Sequence, residues 1–362
     1  MITRFKILAL LVMTALLAAV SPLQGQTPTP EPPGPTLATV LMRGQLICGV
    51  NGDIFGFGFL NPNTGDITGI HVDFCTAIAV AIFGDAAAVD YRLQPINTPP
   101  TSLLNGEVDV MLLHSLTQNL TEDSSTALQF GPFIFYDGQS VMVRFDSGIA
   151  MWEDLSGETI CTVAGTAAEA NIQIEMQRRG LPFDLLTFDS STAVQEAFQS
   201  GRCDAQTLQR SLLEIRRQST EIPADYVVWE QPFTRVGQGP LVRYGDKQWE
   251  AIVNWTLWGL IHAEELGINS RNIGEFVRLE GETDEVYTAR VGLPIAQFLD
   301  ISLGTGSRLG LSGDFMVEVI RQVGNYGEIY NRHLGPESAL PMTRGLNELW
   351  QNGGLLEAPP WR

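Results

Sequence analysis

NTPPTSLLNGEVDVMLLHSLTQNLTEDSSTALQFGPFIFYDGQSVMV, Asn97 to Val143, sets out the parts of an α/β unit in order. A polar helix-like segment leads through Leu103 and Leu104 to Asn105-Gly106, a turn pair. An apolar strand follows, Val108 to Leu113. Next comes a run of hydroxyls and amides: Ser115, Thr117, Gln118, Asn119 and Thr121. A second apolar run, Phe130 to Tyr136, ends at Asp137-Gly138. Short polar side chains directly after a buried strand are where an α/β protein offers hydrogen bonds to a small ligand. The alternative is an N-cap and turn before a helix.

Upstream, Leu46 to Val50 reads as a strand entered from a short helix through the turn Arg43-Gly44. The Gly-rich loop Asn51 to Gly58 lacks the helix signals of a dinucleotide fingerprint. Of its aromatics, Phe55 and Phe57, one is expected in the core and the other, Phe55, at the ligand. Residues 69–84 place Val72, Cys75, Ile78, Ala79 and Ile82 on one helical face. Tyr91 to Leu93 adds another short strand. Further upstream, Arg4 and Lys6 precede an apolar run from Ile7 to Val20, the pattern of a signal peptide over residues 1–25. Residues 26–37 read as a Pro/Thr-rich linker.

Downstream, Val141 to Arg144 reads as a crossover strand, Thr159 to Val163 as a strand, and Gly165-Thr166 as a turn opening a helix. Such a turn offers backbone N–H groups and a positive dipole end to an anion; a plain capped helix is the alternative. RCDAQTLQRSLL, residues 202–213, mirrors NGEVDVMLLHSL, residues 105–116: a turn, an aspartate, a strand, then polar residues. One copy in each half is the repetition expected of a two-lobed clamshell. Pro240 to Arg243 reads as a return strand, and Asp246 caps a long helix that Gly267 ends.

NGEVDV…LTEDSSTALQFGPFIFYDGQSVMVR also resembles the first-lobe site of the general L-amino-acid-binding proteins of ABC transporters. Similar segments extend over residues 37–362: GIHVDFCTAIAVAIFGD, ICTVAGTAAE, GRCDAQTLQRS, DKQWEAIVNWTLWGLIHAEELG and VGNYGEIYNRHLG. The resemblance implies an α/β periplasmic-binding-protein clamshell with two hinge-crossing strands. Its lobe one spans residues 38–142 and returns over 240–362, and its lobe two spans 143–239. It also implies export to the periplasm, a small polar solute of the amino-acid type bound between the lobes, and a membrane permease as partner.

Two departures from the family pattern stand out. Thr117 keeps the first threonine of its Thr-x-Thr-x-x-Arg segment, but Asn119 replaces the second, and Glu122 stands where the carboxylate-clamping arginine belongs. Gln209 occupies the place of the aspartate that receives the ligand's ammonium. The implied ligand set is Phe55, Thr117, Asn119, Glu122, Gly165, Thr166 and Gln209. Arg210 or Arg235 is the alternative carboxylate clamp.

The 362 residues are 44% apolar, ample for packed cores, and carry a formal charge of −19, which disfavours nucleic acid as a partner. Cys48, Cys75, Cys161 and Cys203 lack zinc spacing, and three disulfide connectivities are open to them. Cys48–Cys75 and Cys161–Cys203 keep each bridge inside one lobe and are expected. His71, His114, His262 and His333 are scattered, and no nucleophile elbow or phosphate loop appears. His114 reads either as cleft lining or as a framework histidine. No catalytic residue, metal or cofactor is expected. The competing functional classes are a ligand-sensing receptor module and a dehydratase-type cleft enzyme using Glu122.

Overall fold

The computed structural model describes residues 34–95, 99–114, 127–299 and 305–361. Helix α1 (Pro35–Arg43) leads into β1 (Leu46–Asn51). A small three-stranded flap follows, formed by β2 (Asp53–Ile54), β3 (Gly58–Leu60) and β4 (Ile67–Thr68). Then come α2 (Ile70–Phe83), β5 (Val89–Gln94), β6 (Val110–Leu112), β7 (Leu128–Phe130), β8 (Phe135–Asp137) and β9 (Gln139–Arg144). The chain continues through β10 (Thr159–Val163), α3 (Ala167–Arg179), β11 (Asp184–Phe188), α4 (Ser191–Gln199) and β12 (Ala205–Gln209). Helix α5 (Arg210–Gln218), β13 (Tyr226–Val228), β14 (Val236–Gln238), β15 (Leu241–Arg243) and α6 (Lys247–Glu265) come next. Near the C-terminal end lie α7 (Phe315–Gln322) and α8 (Tyr326–Leu334).

Two five-stranded sheets carry the two lobes, in the orders β5-β1-β6-β15-β7 and β11-β10-β12-β9-β13. In both, the first strand of the lobe lies parallel between the second and the third. A strand contributed from across the hinge then closes each sheet antiparallel: β15 in the first, β9 in the second. This exchange is the repetition read from the two aspartate segments. Asp109 accepts the Ile47 N–H at 2.8 Å and pairs with Arg43, whereas Asp204 accepts the Thr159 N–H at 3.0 Å and pairs with Arg144 at 3.3 Å. The same carboxylate therefore anchors the first strand of each lobe to the loop before the third.

Between the sheets the chain crosses twice, as the antiparallel ribbon β8–β14. Glycine is required at its joints because backbone runs against backbone there. A Cβ on Gly138 would lie 2.0 Å from the Thr234 carbonyl oxygen, and one on Gly239 would lie 2.4 Å from that of Pro132. The run from Phe130 to Tyr136, expected as one apolar stretch, thus serves two strands, because pairing with β15 and with β14 claims its two ends separately. The expected lobe limit at 142/143 falls within β9, which belongs wholly to the second sheet by its pairing with β12 and β13. The linker expected to reach residue 37 ends earlier, because Pro35 opens α1, where its fixed φ suits the first helical turn.

The lobe-one core forms around α2. Val72, Cys75, Ile78 and Ala79 are buried as expected, but so are Ile70, Phe74, Ala77 and Val80. A single apolar face was too narrow a reading: α7 and α8 cover the side that the sheet does not. Asp246 caps α6 by accepting the Trp249 N–H at 3.1 Å, and Trp249, Ile252, Val253, Thr256, Leu257, Leu260 and Ile261 are buried along it. Lobe two has apolar layers on both faces of its sheet. Met142 points to one layer, with Phe198 and Leu213, while Val141 and Val143 point to the other, with Ile172 and Met176. Both expected disulfides are present, with Cα separations of 6.1 Å for Cys48–Cys75 and 5.9 Å for Cys161–Cys203.

Candidate functional site

Parallel strands end on the same side of their sheet, so the loops after their carboxyl ends form the usual ligand crevice of an α/β lobe. In lobe one, β1 ends at Asn51, and His114 follows β6. In lobe two, β10 leads to Gly165-Thr166, and β12 ends at Gln209. His114 and Gln209 are equivalent in the two copies, each five residues after its anchoring aspartate. The two ends meet: His114 Nε2 lies 2.7 Å from the hydroxyl of Ser211, two residues beyond Gln209.

The polar loop of lobe one, with Thr117, Asn119 and Glu122, lies outside the described residues. Phe55 is half-buried in the flap, edge-on to Phe59 at a ring separation of 5.3 Å. Phe57 is the core member of the pair, fully buried among Phe135, His114 and His71. Gly165 and Thr166 are exposed at the start of α3, but the free N–H groups expected there are partly taken. The Gly165 N–H donates to the Glu169 carboxylate at 2.7 Å, and the Thr166 hydroxyl donates to the Val163 carbonyl at 2.7 Å. The turn therefore caps its own helix, and an anion arriving at Gly165 would have to displace Glu169. Gln209 is half-buried, and its side chain makes no hydrogen bond to another described residue.

A buried glutamine outside the expected set organises the lobe-two wall. Gln139 donates to the Ala168 carbonyl at 2.8 Å and the Thr207 hydroxyl at 2.9 Å, and accepts from Asn171 at 3.1 Å. Its amide ties the first turn of α3 to β9 and β12, beside Gln209, with which Gln139 pairs in register. A glutamine inside a strand gives no local sign of such a role. Asn51 is equally hidden: its amide oxygen accepts the His114 N–H at 2.8 Å, and its nitrogen donates to the Gln94 carbonyl at 3.1 Å.

His114 belongs to the framework rather than to an open wall. It is fully buried, and burial holds its pKa below the ordinary histidine value, with the nearby Asp137 carboxylate opposing that shift. Asp137, buried at the end of β8, accepts the Gly138 N–H at 2.8 Å and the Ser211 hydroxyl. A carboxylate only accepts, so the Ser211 proton is committed to Asp137, and His114 donates Nε2–H to the serine oxygen. That order, carboxylate to serine to histidine, leaves no base on the serine and no exposed nucleophile. It is a structural network.

Neither alternative carboxylate clamp takes that role from a described ligand wall. Arg210 is buried, and its guanidinium donates to the Thr343 carbonyl at 3.1 Å and hydroxyl at 2.7 Å, both in the C-terminal segment. Arg235 is exposed on the approach to β14. No cluster of three or more His, Cys, Asp or Glu suited to a metal occurs among the described residues, nor does any helix there have the length and apolarity to cross a membrane.

Comparison with known proteins gives consistent matches. The model of the bacterial extracellular solute-binding proteins, family 3, matches residues 46–271. The general L-amino acid-binding periplasmic protein AapJ of Rhizobium johnstonii is 36% identical over 90% of this chain and 93% of its own length. The glutamate/glutamine/aspartate/asparagine-binding protein BztA of Rhodobacter capsulatus is 34% identical, again over 90% of this chain and 93% of its own. Among solved structures, an ABC transporter/periplasmic binding protein from Brucella ovis with glutathione bound superposes with a TM-score of 0.74. It is 35% identical over 90% of this chain and 99% of that one.

Proposed function

This chain belongs to the bacterial extracellular solute-binding proteins, family 3, and on that premise we propose that its solute is a neutral or cationic polar molecule rather than an ordinary L-amino acid. The coarser function is that of its relatives. It is an extracytoplasmic solute-binding protein of the amino-acid type, working with an ABC transporter permease, and not an enzyme.

Gln209 carries the finer reading. It stands at the carboxyl end of β12 with its amide unpaired among the described residues, in the place where the family's pattern has an ammonium-binding aspartate. A zwitterion entering a cleft that excludes water needs both of its charges met. Here the ammonium meets a neutral amide, and the sequence sets Glu122 at the carboxylate end. Arg210, committed to Thr343, is a poor substitute clamp. A lost desolvated charge pair costs about 2–5 kcal/mol, or at least some tens-fold in affinity. Thr117, Asn119, Glu122, Thr166 and Gln209 are the proposed polar contacts, with Phe55 as an apolar wall.

A second reading comes from the Brucella ovis structure, which has glutathione bound. Glutathione is a tripeptide with two peptide amides, and Gln209, half-buried at the end of β12, offers them an amide partner. Calorimetry with amino acids, polyamines, betaines, neutral amides and glutathione decides between the two. The expected result is no submicromolar binding of the standard amino acids and a solute whose affinity falls on Gln209→Ala. Submicromolar binding of standard L-amino acids, unchanged by that substitution, refutes the proposal. Tight binding of glutathione selects the second reading.

A further inference from the structure

Helix α5 begins one residue after Gln209, and its first two residues are buried, Arg210 at 6% and Ser211 at 0% exposure. Both reach out of lobe two. The Ser211 hydroxyl sits between Asp137 on the hinge ribbon and His114 of lobe one, and its N–H adds a bond to Asp137 at 3.3 Å. The Arg210 guanidinium spans to Thr343. The segment that receives it is itself fastened to lobe one. Arg344 forms a two-pronged ion pair with Glu264 on α6, and the Tyr330 hydroxyl donates to the Thr343 carbonyl at 3.3 Å. Asn347 then clasps the hinge ribbon, accepting the Tyr136 N–H at 2.6 Å and donating to the Tyr136 carbonyl at 2.8 Å.

We propose that the start of α5 is a lobe-to-lobe latch, in which Ser211 on His114 and Arg210 on Thr343 hold the two lobes in the geometry described above. The two chain crossings fix where the lobes are joined but leave rotation about the ribbon open. His114 and Thr343 lie off that ribbon, so their bonds change with lobe rotation. Both partners on the lobe-two side are buried, and one is charged. Breaking the latch therefore leaves the buried Arg210 guanidinium and the buried His114 Nε2–H without their described hydrogen-bond partners, while Ser211 keeps Asp137, and this biases the pair of lobes toward one arrangement. The C-terminal segment accordingly acts as a strap in the closure equilibrium, and not only as a cover for lobe one.

The test needs no knowledge of the solute. Fluorophores placed through non-natural amino acids at exposed Ile174 in lobe two and Leu279 in lobe one report the interlobe distance in single molecules, sparing both disulfides. Thr343 is exposed, so Thr343→Val removes one acceptor of Arg210 with little threat to folding. Ser211→Ala removes the other contact. The expected result is a second distance population in the solute-free protein. Its ratio to the first should rise roughly tenfold or more in the double variant, and Thr343→Ser should keep the original distribution. One unchanged distance distribution in all folded variants overturns the latch. If Ser211→Ala does not fold, the Thr343→Val and Thr343→Ser pair decides alone: a shift in the first and none in the second supports the latch, and no shift in either overturns it.

Discussion

Acidification should weaken this protein through His71, and by an amount the structure sets. His71 lies on α2 at 1% exposure, edge-on to the Phe57 ring at 5.5 Å, with Nδ1 lacking any hydrogen-bond partner among the described residues. Burial, with the neighbouring His114 adding to it, lowers its pKa from 6.5 to about 3. The folded pKa is below the unfolded one, so the unfolded chain takes up the proton first as pH falls. The stabilisation is complete above about pH 6.5 and is lost progressively down to about pH 3. Each unit is worth about 1.4 kcal/mol, so moving from pH 7 to pH 4 should cost about 3 kcal/mol through this residue. Carboxylates and His114 also titrate across that range, so the useful quantity is a difference. Urea unfolding of the wild type and His71→Leu, followed by tryptophan fluorescence at pH 7, 5 and 4, isolates it. The variant should close the gap on the wild type, or overtake it, by about 2 kcal/mol at pH 5 and about 3 at pH 4. Parallel stability curves for the two proteins would refute a neutral, buried His71.

Two further outcomes follow from the same structure. The disulfides close loops of 27 and 42 residues, so replacing Cys48/Cys75 or Cys161/Cys203 by alanine should cost about 3.5 and about 4 kcal/mol on the loop-entropy estimate, measured by guanidinium melts of each pair variant. Gly138→Ala should disturb the hinge rather than the cores, because its Cβ meets the Thr234 backbone; small-angle scattering should show altered lobe spacing while the far-ultraviolet spectrum is retained, and unchanged scattering would count against the close approach.

Much of the fold was legible because it is written in local pattern. The turn pair Asn105-Gly106, the apolar strand after it and the repeated aspartate segment together implied two like lobes, and the return strand after Pro240 implied the crossing. The disulfide pairing followed from keeping each bridge within a lobe. The candidate site was less legible. Gln209 was singled out through its place in a motif, and Gly165-Thr166 through the turn it makes. The side chains that bind those positions together were not found, because an amide or hydroxyl inside a strand or at a helix start looks the same whether it meets water, solute or protein.

The sequence by itself determined the two lobes and the crossing between them, and it carries the expectation that Glu122 and Gln209 replace the two charges that meet a zwitterion, since periodicity and residue identity are properties of neighbours along the chain. Only the tertiary structure decided which polar groups are already spent. By its position in the chain Arg210 is a candidate carboxylate clamp, yet it is turned to Thr343, 133 residues away. His114 read equally well as cleft lining, yet it is held by Ser211, 97 residues on. Glu169 covers the N–H that a helix start would otherwise offer. Hydrogen bonds between distant residues depend on where two lobes come to rest, and burial then makes each commitment expensive to undo.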